Sequence, residues 1–148
     1  MELGNLSELK ALAINVGSVF KMTMFPEDSI TPKNSGDTSR DKYFVVIGKT
    51  EDSVVVGSLL INTNINSRLY NIIGPYQHCL SPESYDFLNG KERYISCYEI
   101  KKFTTDRVVE KAVYIGRLDD DDILSSIELA KLSPANDKRT LRMFNLID

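Results

Sequence analysis

Tryptophan is absent from the chain, histidine occurs once and cysteine twice, and the apolar runs are short. Each shortage excludes something. A membrane-spanning helix needs about 20 consecutive apolar residues, and no run approaches that. Cys79, Cys97 and the lone His78 lack the close spacing of a structural zinc site, so neither a metal nor another cofactor is expected. A chain of 148 residues can build a core without a disulfide, so both thiols are expected to be reduced and packed. Basic excess is missing too. The formal net charge is −3; seven basic residues face eight acidic ones up to Gly74, and eleven face thirteen beyond it. Non-specific grip on duplex nucleic acid calls for a basic stripe, so any nucleic-acid contact here must be local. The opening "MELGNLSELK" carries acidic groups where a secretory signal carries positive charge, and a cytoplasmic, membrane-free protein is expected.

Familiar catalytic signatures are also lacking. There is no nucleophile elbow, no phosphate-binding glycine loop and no paired metal-binding carboxylates. His78 and Cys79 are neighbours, and on a strand their side chains would face opposite sides. His78 could still meet Cys97 across strands, though a packed cysteine is the commoner outcome. Four consecutive carboxylates, Asp119 to Asp122, precede an apolar helical pattern. Successive helix positions point apart, so these read as a helix start opposing the macrodipole rather than a cation site.

What is present is a succession of short β patterns between helices. "LSELKALAINVG" has helical spacing and a terminal glycine, predicting an N-terminal helix over 1–16. "SVFKMTMF" reads as a strand. Pro26 to Asp41, dense in Pro, Ser, Asp and Gly, reads as a mobile loop. "KYFVVIGKTEDSVVVGSLLI" is a hairpin turning at "KTEDS". "LYNII" reads as a short strand, "SPESYDFLNGKE" as turns with a tight Asn89-Gly90 pair, and "RYISCYEIKKF" and "KAVYIGRL" as strands. "DDDDILSSIELAKL" predicts a helix, and the segment after Pro134 a second short helix or tail. Five or six short strands between helices predict a mainly β domain, a small barrel with helices at its ends.

One stretch raises a chemical question. "GSLLINTNIN" starts as a buried strand and ends in Asn62, Thr63, Asn64 and Asn66, with Arg68 just beyond. Antiparallel pairing brings this end beside the start of the preceding strand, where Arg40 and Lys42 stand. Cations, amides and a hydroxyl under a loop can stabilise charge developing on a phosphate; they can equally cap strands and bind water.

These residues resemble the MazF/PemK-like superfamily. The hairpin "KYFVVIGK…SVVVGSLLINTNI" is similar to that family's core hairpin, in which an Arg-Pro-apolar run enters one strand and Thr or Ser closes the next. "YDFLNGKERYISCYEIKKFTTDRV" and "VYIGRLDDDDILSSIELAKL" are similar to its later strands and closing helix. The likeness runs from about Gly17 to Leu132; residues 1–16 and the tail 134–148 look like additions to a single domain. It implies a small SH3-like β-barrel, usually a homodimer. It also implies a toxin of a toxin–antitoxin pair that cuts single-stranded RNA without a metal, by attack of a ribose 2′-hydroxyl on the adjacent phosphate. By position, Thr63 would hold the phosphate. Arg40 or Lys42 would supply the cation and proton, because the family's arginine falls on Lys42, two residues after Arg40. Asn62, Asn64, Asn66 and Arg68 would contact RNA, and the loop would meet RNA or antitoxin. "INT" in place of the family's "PxT" resembles a divergent branch, for which the alternative is a non-catalytic SH3-like module binding a protein or nucleic acid.

Overall fold

The computed structural model describes residues 14–28, 39–63 and 70–148. Most of the predicted N-terminal helix lies outside these, as do the middle of the Pro26 to Asp41 loop and Asn64, Asn66 and Arg68. Ile14 to Val16, within the range given to that helix, form a turn with Gly17 instead. The Ser18 amide donates to Asn15 O at 2.9 Å, and Gly17 takes φ +94°.

Seven strands form one antiparallel sheet among the described residues: β1 (Ser18–Met24), β2 (Arg40–Lys49), β3 (Val55–Asn62), β4 (Gln77–Leu80), β5 (Arg93–Ser96), β6 (Lys101–Thr104) and β7 (Val113–Arg117). Their order is β4-β5-β3-β2-β1-β7, with β6 pairing β3 beside β5. Three helices follow the later strands: α1 (Thr105–Lys111), α2 (Asp120–Leu132) and α3 (Lys138–Met143). The sheet is not closed by hydrogen bonds, because its end strands β4 and β7 do not pair. Helix α2 joins them instead, leaving directly after β7 and packing on β4.

The hairpin β2–β3 is buried on both faces, which explains its unbroken apolar runs. Val45, Ile47, Leu59 and Ile61 point into a core shared with Ile95, Leu118, Ile123 and Leu141. Phe44, Val46, Val56 and Leu60 point into a second core with Phe20, Met22, Met24 and Phe103. The turn between the strands is the predicted one: Asp52 Oδ1 accepts from Thr50 Oγ1 at 2.6 Å and from the Val54 amide at 3.1 Å.

Two predicted elements differ, and one helix is additional to those expected. "LYNII" contains a helical turn, Tyr70–Ile73, not a strand. The Tyr70 ring folds over Gly74, whose added Cβ would lie 3.1 Å from it, an i,i+4 contact that a strand cannot make. "RYISCYEIKKF" is two strands, β5 and β6, parted at Cys97–Ile100. The backbone groups released there are taken up from elsewhere. Asn136 Oδ1 accepts from the Ile100 amide at 2.9 Å, Ser133 Oγ donates to Tyr98 O at 2.5 Å, and the Cys97 amide donates to Tyr76 O at 2.8 Å. Helix α1 begins at "TTDR", where Thr104 Oγ1 accepts from the Arg107 amide at 3.2 Å, an N-cap between the two predicted strands.

The segment after Pro134 contributes to the main core. Leu141 and Phe144 are buried. Gly48 and Gly57 pair across β2 and β3, and a Cβ on Gly57 would sit 2.8 Å from the Phe144 ring; one on Gly48 would sit 2.7 Å from Phe144 O. The two glycines thus form a notch that the last helix fills. Gly57→Ala is expected to destabilise the fold by about 1–3 kcal/mol through overpacking, and Phe144→Ala by about 3–5 kcal/mol. In urea unfolding, adding Gly57→Ala to Phe144→Ala is expected to cost far less than alone; full additivity would show that the ring does not occupy the notch.

Candidate functional site

Where β2 begins and β3 ends, a cleft of about 250 Å³ is lined by Lys21, Arg40, Asp41, Lys42, Tyr43, Ile61, Thr63 and Arg93. The antiparallel register produces it. Tyr43 faces Ile61 across β2–β3, Lys21 faces Tyr43 across β1–β2, and Ile61 and Asn62 face Ile95 and Tyr94 of β5. Arg40, Lys42 and Thr63, singled out from the sequence, therefore share one cleft. Asn62 is adjacent but does not line it; Asn64, Asn66 and Arg68 lie outside the described residues.

Alternation along the strands divides the cluster. Lys42 and Asn62 point to the face of Phe44 and Leu60, whereas Tyr43 and Ile61 point to the other. Lys42 is 8% exposed, opposite Met22, and its ammonium donates to Asn62 Oδ1. Burial lowers its pKa to about 8, and the nearby guanidiniums of Arg40 and Arg93 push the same way. The amide answers part of the cost of burying an ammonium among methionine and aromatic side chains.

On the Tyr43 face stands Arg93, the first residue of β5. Its Cζ lies 5.5 Å from the Tyr43 ring centroid, a cation–π stack. Its Nε is buried and has no hydrogen-bond partner among the described residues. Among those residues, no ion pair is made by Lys21, Arg40, Lys42 or Arg93. Asp41 is the cleft's carboxylate, and its Oδ1 accepts from Thr23 Oγ1 at 2.6 Å. The result is a small cationic recess with the hydroxyl-bearing residues Thr63 and Tyr43 in its lining, suited to an anion. Sequence reasoning missed Arg93, Tyr43 and Lys21, for nothing near "ERY" marks it as a site. Only the pairing of β5 with the end of β3 brings Arg93 there.

The other residues considered for chemistry lie elsewhere. His78 does not meet Cys97. It pairs with Ile95 in register, and its Nε2 is 2.7 Å from Asp122 Oδ1. Tyr85 donates to Asp122 Oδ2 at 2.5 Å and accepts from the Asp119 amide at 2.8 Å. Burial and Asp122 raise the phenol above its ordinary range. Asp119 is the N-cap residue of α2, but its side chain makes no capping bond; Asp122 instead ties α2 to β4 and to the loop after it. Both thiols are free, but only Cys97 is packed, its pKa pushed up to about 12 by burial; Cys79 is exposed. At the loop's start, Arg107 holds Asp28 with two bonds of 2.7 and 2.8 Å and keeps its carboxyl below the usual range. Among the described residues no group of three His, Cys, Asp or Glu side chains could hold a metal ion, and no helix is long and apolar enough to cross a membrane. Comparison with protein-family models and with curated proteins finds no match for the chain.

The buried ammonium makes stability depend on pH. With a folded pKa near 8 and an unfolded value near 10.4, the unfolded chain binds more protons between those values, so stability rises with pH there. Lys42→Met removes this dependence. Relative to the variant, the wild type is expected to gain more than about 1 kcal/mol between pH 7 and pH 10 in urea unfolding; parallel curves would refute the buried ammonium.

Proposed function

We propose that the cleft holds a phosphate of single-stranded RNA and that the protein is an endoribonuclease of the MazF/PemK-like toxin type, built on a variant SH3-like barrel that helix α2 completes. The observation that carries this reading is the gathering of Arg40, Lys42, Thr63 and Arg93 around one recess, without an ion-pair partner for the cations among the described residues. A formal charge of −3 suits contact limited to such a recess rather than a long groove on duplex.

The chemistry follows from the residue types. The ribose 2′-oxygen attacks the adjacent phosphorus, forming an O2′–P bond. The P–O5′ bond breaks, leaving a 2′,3′-cyclic phosphate and a 5′-hydroxyl. Thr63 donates to a non-bridging oxygen, and Arg40 stabilises the charge that accumulates there. Lys42, released from Asn62, takes the 2′ proton in its neutral form, and water protonates the leaving oxygen. A pKa near 8 suits a base working near neutrality. The reading brings with it an antitoxin protein that occupies the cleft and a homodimeric assembly.

A second reading is favoured by one observation: the Lys42 ammonium is held by Asn62 on the face away from Tyr43. Left there, it makes the cleft an anion-binding module without turnover, for RNA or a protein partner.

One experiment separates them. The intact chain and its Thr63→Ala and Arg40→Ala/Lys42→Ala variants are induced in cells, and new 5′-hydroxyl ends in total RNA are mapped. Discrete ends that vanish in both variants, with cleavage rising from pH 6 to pH 8 in vitro, are expected. Folded wild-type protein that leaves the RNA profile unchanged would sink the nuclease reading and leave the binding module.

A further inference from the structure

Arg93 has no role in the reading drawn from the sequence, yet it is the cleft residue whose surroundings point most clearly to a ligand. Its guanidinium is seated on Tyr43 at 5.5 Å, which fixes the plane of the fork and reduces the entropy lost when it binds. Its buried Nε lacks a partner among the described residues. A buried donor left unsatisfied is costly, and so is keeping Arg93 and Arg40 close enough to the Lys42 ammonium to act on it. No carboxylate among the described residues pairs with any of the three. A compact anion with several acceptor oxygens in the cleft relieves the crowding of like charges.

We infer that Arg93 is the cleft's anion-recognition residue, with Tyr43 as the platform that orients it, and that the group it grips is a phosphate of a single strand. This rests on the RNA reading for the identity of the strand, but not for the grip itself. Arg93 precedes Tyr94, which pairs with Asn62, so the antiparallel register sets it beside Thr63. The guanidinium and the hydroxyl can then meet oxygens of one phosphate from two sides. Ile61 and the Tyr43 ring give the recess an apolar wall against which a sugar can lie. At about 250 Å³ the recess admits a phosphate and its sugar, not a helix. Arginine suits this place because its planar fork binds two phosphate oxygens together and still stacks on an aromatic ring, which lysine does not reproduce.

The test uses the full chain with two probes, an all-2′-deoxy single-stranded oligonucleotide, which cannot be cut by 2′-oxygen attack, and inorganic phosphate. Arg93→Gln is expected to weaken oligonucleotide binding roughly tenfold to a hundredfold and to lower the slope of log affinity against log salt by about 0.7, the loss of one single-strand phosphate contact. Arg93→Lys is expected to restore the slope without the full affinity, a split that a merely structural role would not produce. In the wild type, the Arg93 Nε–H resonance is expected to shift on titration with either probe, so the inference remains testable if a variant fails to fold. A still resonance, or an Arg93→Gln protein that folds and binds both probes as the wild type does, overturns it. Arg93-dependent binding of phosphate without oligonucleotide binding upholds the grip and refutes the RNA strand. Failure of both probes to bind wild type overturns both.

Discussion

Burial of the β2–β3 hairpin on both faces is the constraint on which the rest of this fold depends. A two-stranded ribbon is marginal in water alone, and this one is covered twice. One face meets Ile95, Leu118, Ile123 and Leu141, the other Phe20, Met22 and Phe103. Because side chains alternate, each strand must supply both cores at once, and its register cannot slip without turning every contact over. The Gly48–Gly57 pair fits this scheme. It leaves room at one rung of the ladder for Phe144, so the last turn of the chain helps hold the ribbon.

The same alternation shapes the cleft. At the open end of the ribbon the cores run out, and residues that continue the two faces differ in kind. Lys42 and Asn62 extend the aromatic face and satisfy one another there. Tyr43, Ile61 and Arg93 extend the other and surround the recess. Burial makes Lys42 a titrating group near neutrality, while the ring beneath Arg93 keeps a permanent charge in place. Lys42 nevertheless lines the same recess as Arg93, and the two positive charges act on one another there.

Closure of the sheet is a separate matter. Hydrogen bonds end at β4 and β7, and helix α2 spans the gap. Asp122 fastens that helix by accepting bonds from Tyr85 and His78. The carboxylate run before the helix therefore contributes more than a favourable dipole interaction. One of its members secures the join between the two ends of the sheet.

The hairpin, strand β1, the Asn89-Gly90 turn and helix α2 were legible from residue pattern alone, because each is set by local periodicity and turn chemistry. So was the meeting of Arg40, Lys42 and Thr63, which follows from antiparallel pairing of two strands already identified. The division of "RYISCYEIKKF" was not legible, since the bonds that permit it come from Ser133 and Asn136, more than thirty residues away. Nor was Arg93, whose place depends on β5 pairing with the last two residues of β3. Local sequence determined which segments are strands and which residues close the hairpin. Tertiary structure decided that Lys42 is buried against Asn62 while Arg93 is held on Tyr43 beside the recess, because both outcomes depend on which strand lies next to which.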